Sequence, residues 1–174
     1  GVTIGSQKLH ARSVFWAAGV QAARISISPP LETDRAARIK VNTDFSVPGH
    51  SNVFVVGDMA SFETAPGRLL PGIAPAAIQA GEHAAAMILA DLEGEPRLGF
   101  LYNDRGQMAT IGKSRAVAQI GRVTLTGRIA WLTWLLVHVF SLIGFRNRVS
   151  VLFNWIWGYM FSKREARLIT EKEW

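Results

Sequence analysis

The sequence has no cysteine in its 174 residues. That excludes disulfides, a thiolate metal site and a redox-active cysteine pair. It also lacks a G-x-G-x-x-G after a strand, the loop that cradles a dinucleotide pyrophosphate. No His, Asp and Glu set has metal-ligand spacing, so no metal site is expected. The opening Gly1-Val2-Thr3-Ile4 has neither the basic nor the apolar region of a secretory signal. Negative charge is the scarcer sign, with 13 Asp+Glu against 19 Lys+Arg and a net charge of +6. Such a surplus suits nucleic acid or an anionic membrane surface. Hydrophobic residues make up 49%, enough for a core, and the length suits one domain or parts of two.

The segment Val53-Phe54-Val55-Val56-Gly57-Asp58 has the form of a buried strand ending in a carboxylate. Gly57 would let backbone approach a ligand closely, and ionised Asp58 can only accept hydrogen bonds, which suits sugar-like hydroxyls. A plain turn with a helix N-cap accounts for the same residues. Residues 1–23 read as short strands, with Val14-Phe15-Trp16 ending at Ala17-Ala18-Gly19. Ile39-Lys40-Val41 alternates like a strand, and residues 61–74 form a Gly/Pro loop. Residues 76–92 make an Ala-rich helix with Pro75 at its first turn, where proline is tolerated. One face of it is small, with Ala77, Ala80, Gly81 and Ala84, so that a flat or bulky group could lie close. Gly94-Glu95-Pro96 ends that stretch. Leu101-Tyr102, a turn at 103–106 and Met108 to Ile111 predict a hairpin, with a further strand over 116–120.

Composition changes at Thr126-Gly127-Arg128. Residues 129–145 and 149–161 contain no Lys, Arg, Asp or Glu, and nine of the 17 aromatic residues fall within 129–161. Trp beside basic residues is the composition of a membrane interface. A 17-residue helix reaches about 25 Å, short of a hydrocarbon core of roughly 30 Å. Two interfacial helices are therefore favoured over a transmembrane hairpin. Arg128, Arg146, Arg148, Lys163, Arg164 and Arg167 stand ready for anionic head groups. A buried helical hairpin or an oligomer interface is the competing reading. Nucleic acid is disfavoured, because basic residues flank long apolar runs and do not alternate with aromatics.

In their order along the chain, Val14 to Gly19, Leu31-Glu32-Thr33-Asp34-Arg35, Val53 to Ala60, Leu70 to Ala86, Phe100 to Gly112 and the Trp-rich tail resemble the type II NADH:quinone oxidoreductases, single-subunit flavoprotein NADH dehydrogenases. The resemblance implies an α/β fold: part of a Rossmann-like, two-dinucleotide-binding FAD/NAD(P) domain, then a small β-hairpin region, then a helical membrane-anchoring tail. It places residues 1–24 at the end of an NAD-binding domain and 25–96 in an FAD-binding domain. Residues 97–125 become the hairpin region and 126–174 the tail. The chain would be the C-terminal half only, because both pyrophosphate loops are missing, and would be inactive alone.

Implied roles follow the matching positions. Gly57 and Asp58 would hold the FAD ribityl region, Ala76 and Ala77 would donate backbone N–H groups to the flavin, and Gly19 would let the chain pass the dinucleotide. Gln79 and Gly81 match the family's quinone motif, but Pro75 stands where its first Gln would be and has no amide to offer. Ala37 stands where the family often has Gly, a loop exchange expected to cost little. The implied chemistry runs from NADH through FAD to a membrane quinone and needs no catalytic side chain. Implied partners are that quinone, an anionic lipid surface and a second copy of the chain, on the inner face of a bacterial cytoplasmic membrane, with no nucleic acid. The alternative is a lipid-binding module with a degenerate flavin half-site; a soluble flavin disulfide reductase is opposed by zero Cys and the Trp-rich tail. His83 reads as a packed helical histidine before a proton relay, His138 as internally bonded as readily as a quinone or head-group contact, and His10 and His50 as loop residues. Lys113 reads as a solvated lysine before an FAD or quinone contact.

Overall fold

A computed structural model describes residues 1–15, 17, 19–23 and 25–161. The chain divides into two compact units, Gly1–Asp104 and Arg105–Trp174.

The first unit begins with an antiparallel hairpin of β1 (Val2–Ile4) and β2 (Gln7–Leu9), turned at Gly5. Val14 and Phe15 do not form the expected strand, and Trp16 lies outside the described residues. Phe15 is 91% exposed, without a neighbouring strand to cover it. β3 (Ile39–Lys40) runs parallel to β6 (Ala60–Ser61). β4 (Ser46–Val47) pairs antiparallel with β5 (His50–Phe54), and β7 (Glu63–Ala65) with β8 (Arg68–Leu69), so the expected Gly/Pro loop contains a small hairpin. Among the described residues β3–β6 is the one parallel pair, and every sheet of this unit has two strands. Parallel strands need long crossovers, usually helical, and this unit has one α-helix.

That helix, α1 (Ala74–Glu93), extends the expected 76–92 slightly at both ends, with Pro75 in its first turn. Gly94 stops it in the left-handed conformation, its N–H reaching the Ala90 and Asp91 carbonyls. The buried stripe is Ala76, Ala80, Ala84 and Met87. It is rotated from the expected small face, and the bulky group against it is the protein's own. Ala80 is fully buried in one cluster with Phe45, Phe62 and Phe100. The three rings stand 4.6, 4.9 and 5.5 Å apart. His83 packs against Phe100 at 5.3 Å and donates from Nε2 to the Leu98 carbonyl, so it is a packed helical histidine.

Arg97 ties the end of α1 to the loop beneath it. Its guanidinium donates to Asp91, to Asp44 Oδ2 at 3.0 Å and to the Ser51 carbonyl at 2.7 Å, and lies 4.8 Å over the Phe54 ring. Burial raises the Asp44 pKa, but the Ser46 hydroxyl and amide and the Arg97 guanidinium outweigh it, and the carboxyl is held below its ordinary value.

Ala37 departs from the sequence expectation. It adopts a φ of +60°, a conformation that favours glycine. The turn that imposes it is pinned by Asp34, whose Oδ1 accepts the Ala36 and Arg38 amides at 2.8 and 3.0 Å and whose Oδ2 accepts Arg38 Nε at 2.8 Å.

The second unit is an antiparallel sheet of β9 (Gln107–Thr110), β10 (Ala116–Ile120) and β11 (Val123–Thr126), with β10 central. The expected partner of β9 was Leu101-Tyr102; β9 pairs with β10 instead. Two helices follow, α2 (Gly127–Ser141) and α3 (Phe145–Phe161). The break falls at 142–144, where Gly144 has φ +82°, and not at Arg146-Asn147-Arg148, which lie inside the start of α3. Arg148 Nε donates to the Leu142 carbonyl at 2.9 Å, which closes the corner. Ala116, Ala118 and Ala130 are buried where α2 meets the sheet, backed by Met108, Leu125 and Trp131.

Ala37→Gly should raise stability by about 0.5–1 kcal/mol, because relief of the left-handed strain exceeds the added freedom of the unfolded chain. An unchanged or lowered urea midpoint would refute the strain. Asp44→Asn should destabilise by about 1–2 kcal/mol at neutral pH. The folded carboxyl titrates below the ordinary 3.8, so its stabilisation is full above that value and drains away as pH falls through the lower one. The gap between wild type and variant in thermal melts should therefore narrow as pH falls below 3.8; a gap that stays constant down through the acid range would exclude a charged Asp44 as its source.

Candidate functional site

In the first unit the chain leaves β5 through Val55 and Val56 and turns at Gly57, which opens a short 3-10 turn, Gly57–Met59. Gly57 has φ +69°, so a side chain there would be strained. A Cβ on it would lie 3.7 Å from Ala77 Cβ, which places the first turn of α1 directly over this corner. Asp58 is exposed. Among the described residues its carboxylate has no hydrogen-bond or ion-pair partner. A Cβ on Gly72 would come 3.2 Å from Asp58 Oδ1, so Gly72 leaves the carboxylate its space.

These groups border a small pocket of about 60 Å³, together with Gln21, Ala22, Arg38 and Ala77. Gly19 has φ +83° and is exposed; its successors Val20, Gln21 and Ala22 reach the pocket wall, whereas Trp16 and Ala18 of the same turn lie outside the described residues. Sequence reasoning overlooked Arg38 and Gly72. The only hint for Arg38 was its spacing of four from Asp34, and Gly72 reads in sequence as one more loop glycine.

The start of α1 offers fewer donors than a bare helix end. The Ala76 and Ala77 amides both donate to the Ile73 carbonyl, at 3.0 and 3.1 Å. Pro75 has no N–H. Ala74 is left as the first-turn amide not engaged by Ile73.

Gln79 is occupied. Its Oε1 accepts the Asn103 amide at 3.1 Å, and its Nε2 donates to the Asn103 and Pro75 carbonyls at 3.0 and 3.2 Å. The side chain thus binds the 100–104 segment to α1 in the manner of a strand partner. Gly81, two residues on, has open space where its Cβ would be.

In the second unit the apolar character of α2 and α3 lies outward. Phe140, Ile143, Phe145, Phe153 and Met160 are between 64% and 88% exposed. Among the described residues no helix is long and apolar enough to cross a membrane. His138 donates from Nδ1 to the Trp134 carbonyl at 2.8 Å, the internal bond of its own helix. Lys113 places its ammonium 5.9 Å from the Tyr159 ring centroid. Among the described residues no group of His, Asp or Glu could hold a metal. Lys163, Arg164 and Arg167, expected to flank the tail, lie outside the described residues.

Residues 105–164 match the family model described as the NDH2 C-terminal domain. The chain is 39% identical over 174 positions to the type II NADH:quinone oxidoreductase Ndh of Mycobacterium tuberculosis, which takes in 96% of this chain and 36% of that protein. It is 38% identical over 186 positions to NdhA of the same organism, 99% and 38% of the two lengths. It is 29% identical over 143 positions to the demethylphylloquinone reductase NdbB of Synechocystis, 82% and 35%. The chain spans little more than a third of the length of these curated relatives. By sequence it belongs with the type II NADH:quinone oxidoreductases and carries their NDH2 C-terminal domain.

Proposed function

We propose that this chain is the part of a type II NADH:quinone oxidoreductase that completes a flavin site and carries the enzyme to the membrane surface. The observation that carries the reading is Asp58, an exposed carboxylate without a protein partner, set on a positive-φ Gly57 and faced by Gly72 and the start of α1. Those residues fit the hydroxyl-rich end of FAD: the carboxylate accepts, and two glycines clear its approach. A pocket of about 60 Å³ is far smaller than a dinucleotide, which agrees with a site shared with sequence outside this chain. The remainder of α1 contributes its positive end, where the Ala74 amide and the helix dipole favour the negative pyrimidine edge of a reduced flavin. Bound FAD would supply hydride acceptance from NADH and passage of electrons to a membrane quinone.

In this reading residues 1–24 return from an NAD-binding domain, 25–96 finish a Rossmann-like FAD domain, and 97–125 lead to the tail. Gln79 contributes by holding the 100–104 segment against α1, in addition to any contact with quinone. The outward apolar residues of α2 and α3 would enter one leaflet, with Arg128, Arg146 and Arg148 meeting anionic head groups at about 1 kcal/mol each. The protein would then sit as a monotopic one on the inner face of the cytoplasmic membrane. A lipid-binding module without catalysis would use the same tail but leaves Asp58 without a purpose.

The purified chain should bind FAD weakly, and Asp58→Ala should weaken that binding about tenfold or more, since a hydrogen bond to a charged acceptor contributes about 1.5–3 kcal/mol. Flavin fluorescence titration reads this. Equal affinity of the variant would remove Asp58 from the site. Rapid NADH oxidation by the 174-residue chain alone would overturn the shared-site reading.

A further inference from the structure

Arg38 borders the same pocket as Asp58, and the function proposed above gives it no part. It follows the Asp34 turn, and that turn decides how its guanidinium is held. Asp34 Oδ2 accepts Arg38 Nε at 2.8 Å and the Ser61 hydroxyl at 3.1 Å, while Oδ1 accepts the Ala36 and Arg38 amides. The Asp34 amide in turn donates to the Arg38 carbonyl at 2.8 Å. Burial raises the Asp34 pKa, but those four donors outweigh it, and the carboxyl is held below its ordinary value. It therefore stays charged at neutral pH and keeps its hold on the arginine.

Asp34 grips the guanidinium at Nε alone. A guanidinium carries five N–H donors in a planar fork. Among the described residues the four donors on Nη1 and Nη2 meet no acceptor. The Arg38 side chain is 25% exposed, and its Nε bond already orders it, so little side-chain freedom remains to be lost on binding.

Charge narrows the occupant. Arg38 and Asp58 are the two charged residues of the lining; the rest are Gln21 and apolar or glycine residues. The two do not pair with each other. One offers donors only and the other acceptors only. A bare anion meets repulsion from Asp58, and a neutral polyol leaves the guanidinium unused. A group that carries an anion beside a hydroxyl answers both. A pocket of about 60 Å³ admits one such junction and not a whole cofactor.

We propose that Arg38 is a phosphate-binding residue of the flavin site, donating from its Nη groups to the phosphate that ends the ribityl chain while Asp58 accepts from a ribityl hydroxyl. The proposal rests on the flavin reading above and adds to it a ligand group: the site selects phosphorylated flavins over riboflavin. Asp34 is the positioning residue, acting through Arg38.

Fluorescence titration of the 174-residue chain with riboflavin, FMN and FAD separates the parts. Wild type should bind FMN about tenfold tighter than riboflavin. Added NaCl should shrink that advantage, because screening weakens the ion pair. Arg38→Gln should weaken FMN and FAD binding about tenfold and leave riboflavin binding unchanged. Retained riboflavin binding also reports that the variant has folded. Asp58→Ala should weaken all three. Equimolar inorganic phosphate should not displace FMN. The assignment is overturned if wild type binds FMN and riboflavin alike, if Arg38→Gln loses riboflavin as much as FMN or loses neither, or if phosphate alone displaces FMN. With Asp58→Ala still weakening all three flavins, those results leave the flavin reading standing. Wild-type chain that binds none of the three would sink the flavin reading, and the role of Arg38 with it.

Discussion

Ala80 ends at its Cβ, and the space it leaves is filled by Phe45, Phe62 and Phe100. The first unit depends on this packing. Its strands are two to five residues long and paired in twos, too little ladder to stand alone. What holds them is a single helix face narrow enough for three rings to meet above it. Phe45 accepts a left-handed φ of +68° to point into that cluster, a strain offset by complete burial of the ring. Arg97 then secures the far end of the same helix by joining Asp91, Asp44 and Ser51 under one guanidinium. The planar fork of arginine can satisfy three acceptors at once, which a lysine could not do with the same geometry.

The Gly57 corner takes its form from that helix. Because the aromatic cluster fixes α1, the first turn of the helix lies over Gly57, and Ala77 is small enough to let it. Asp58 is thereby held in the short 3-10 turn that follows β5, exposed and, among the described residues, without a hydrogen-bond partner. Ala76 and Ala77, whose amides a flavin reading wants as donors, instead close the helix start on Ile73. Anion affinity at this helix end thus rests on the dipole and one amide more than on a row of free N–H groups.

The second unit is organised by a different shortage. Small residues, Ala116, Ala118 and Ala130, seat α2 on the sheet, and Trp134 stacks on Trp155 to join α2 to α3. Among the described residues Trp157 is exposed, Trp131, Trp134 and Trp155 are half-buried, and no helix is long and apolar enough to cross a membrane.

Much of this was legible in one dimension. The helix with Pro75 inside its start and Gly94 past its end, the Gly57 turn, the uncharged aromatic tail and the family resemblance are local patterns, because capping, proline geometry and composition act over a few residues. The errors are where partners from elsewhere decide. Leu101-Tyr102 looked like a strand, but the Gln79 side chain claims the adjacent Asn103 backbone. The tail bends at Gly144 and not at its arginines, because Arg148 can cap the corner from within α3. Ala37 read as a harmless loop exchange, yet the Asp34 turn forces it left-handed. Sequence by itself determined that a helix follows Ile73 and stops at Gly94, that the chain turns at Gly57 and that an uncharged aromatic stretch forms the tail, since these follow from the covalent chain and its immediate neighbours. Only the tertiary structure decided what lies on the small face of α1, which amides remain open at its start, and which aromatic rings of the tail stack, since packing joins residues that sequence holds far apart.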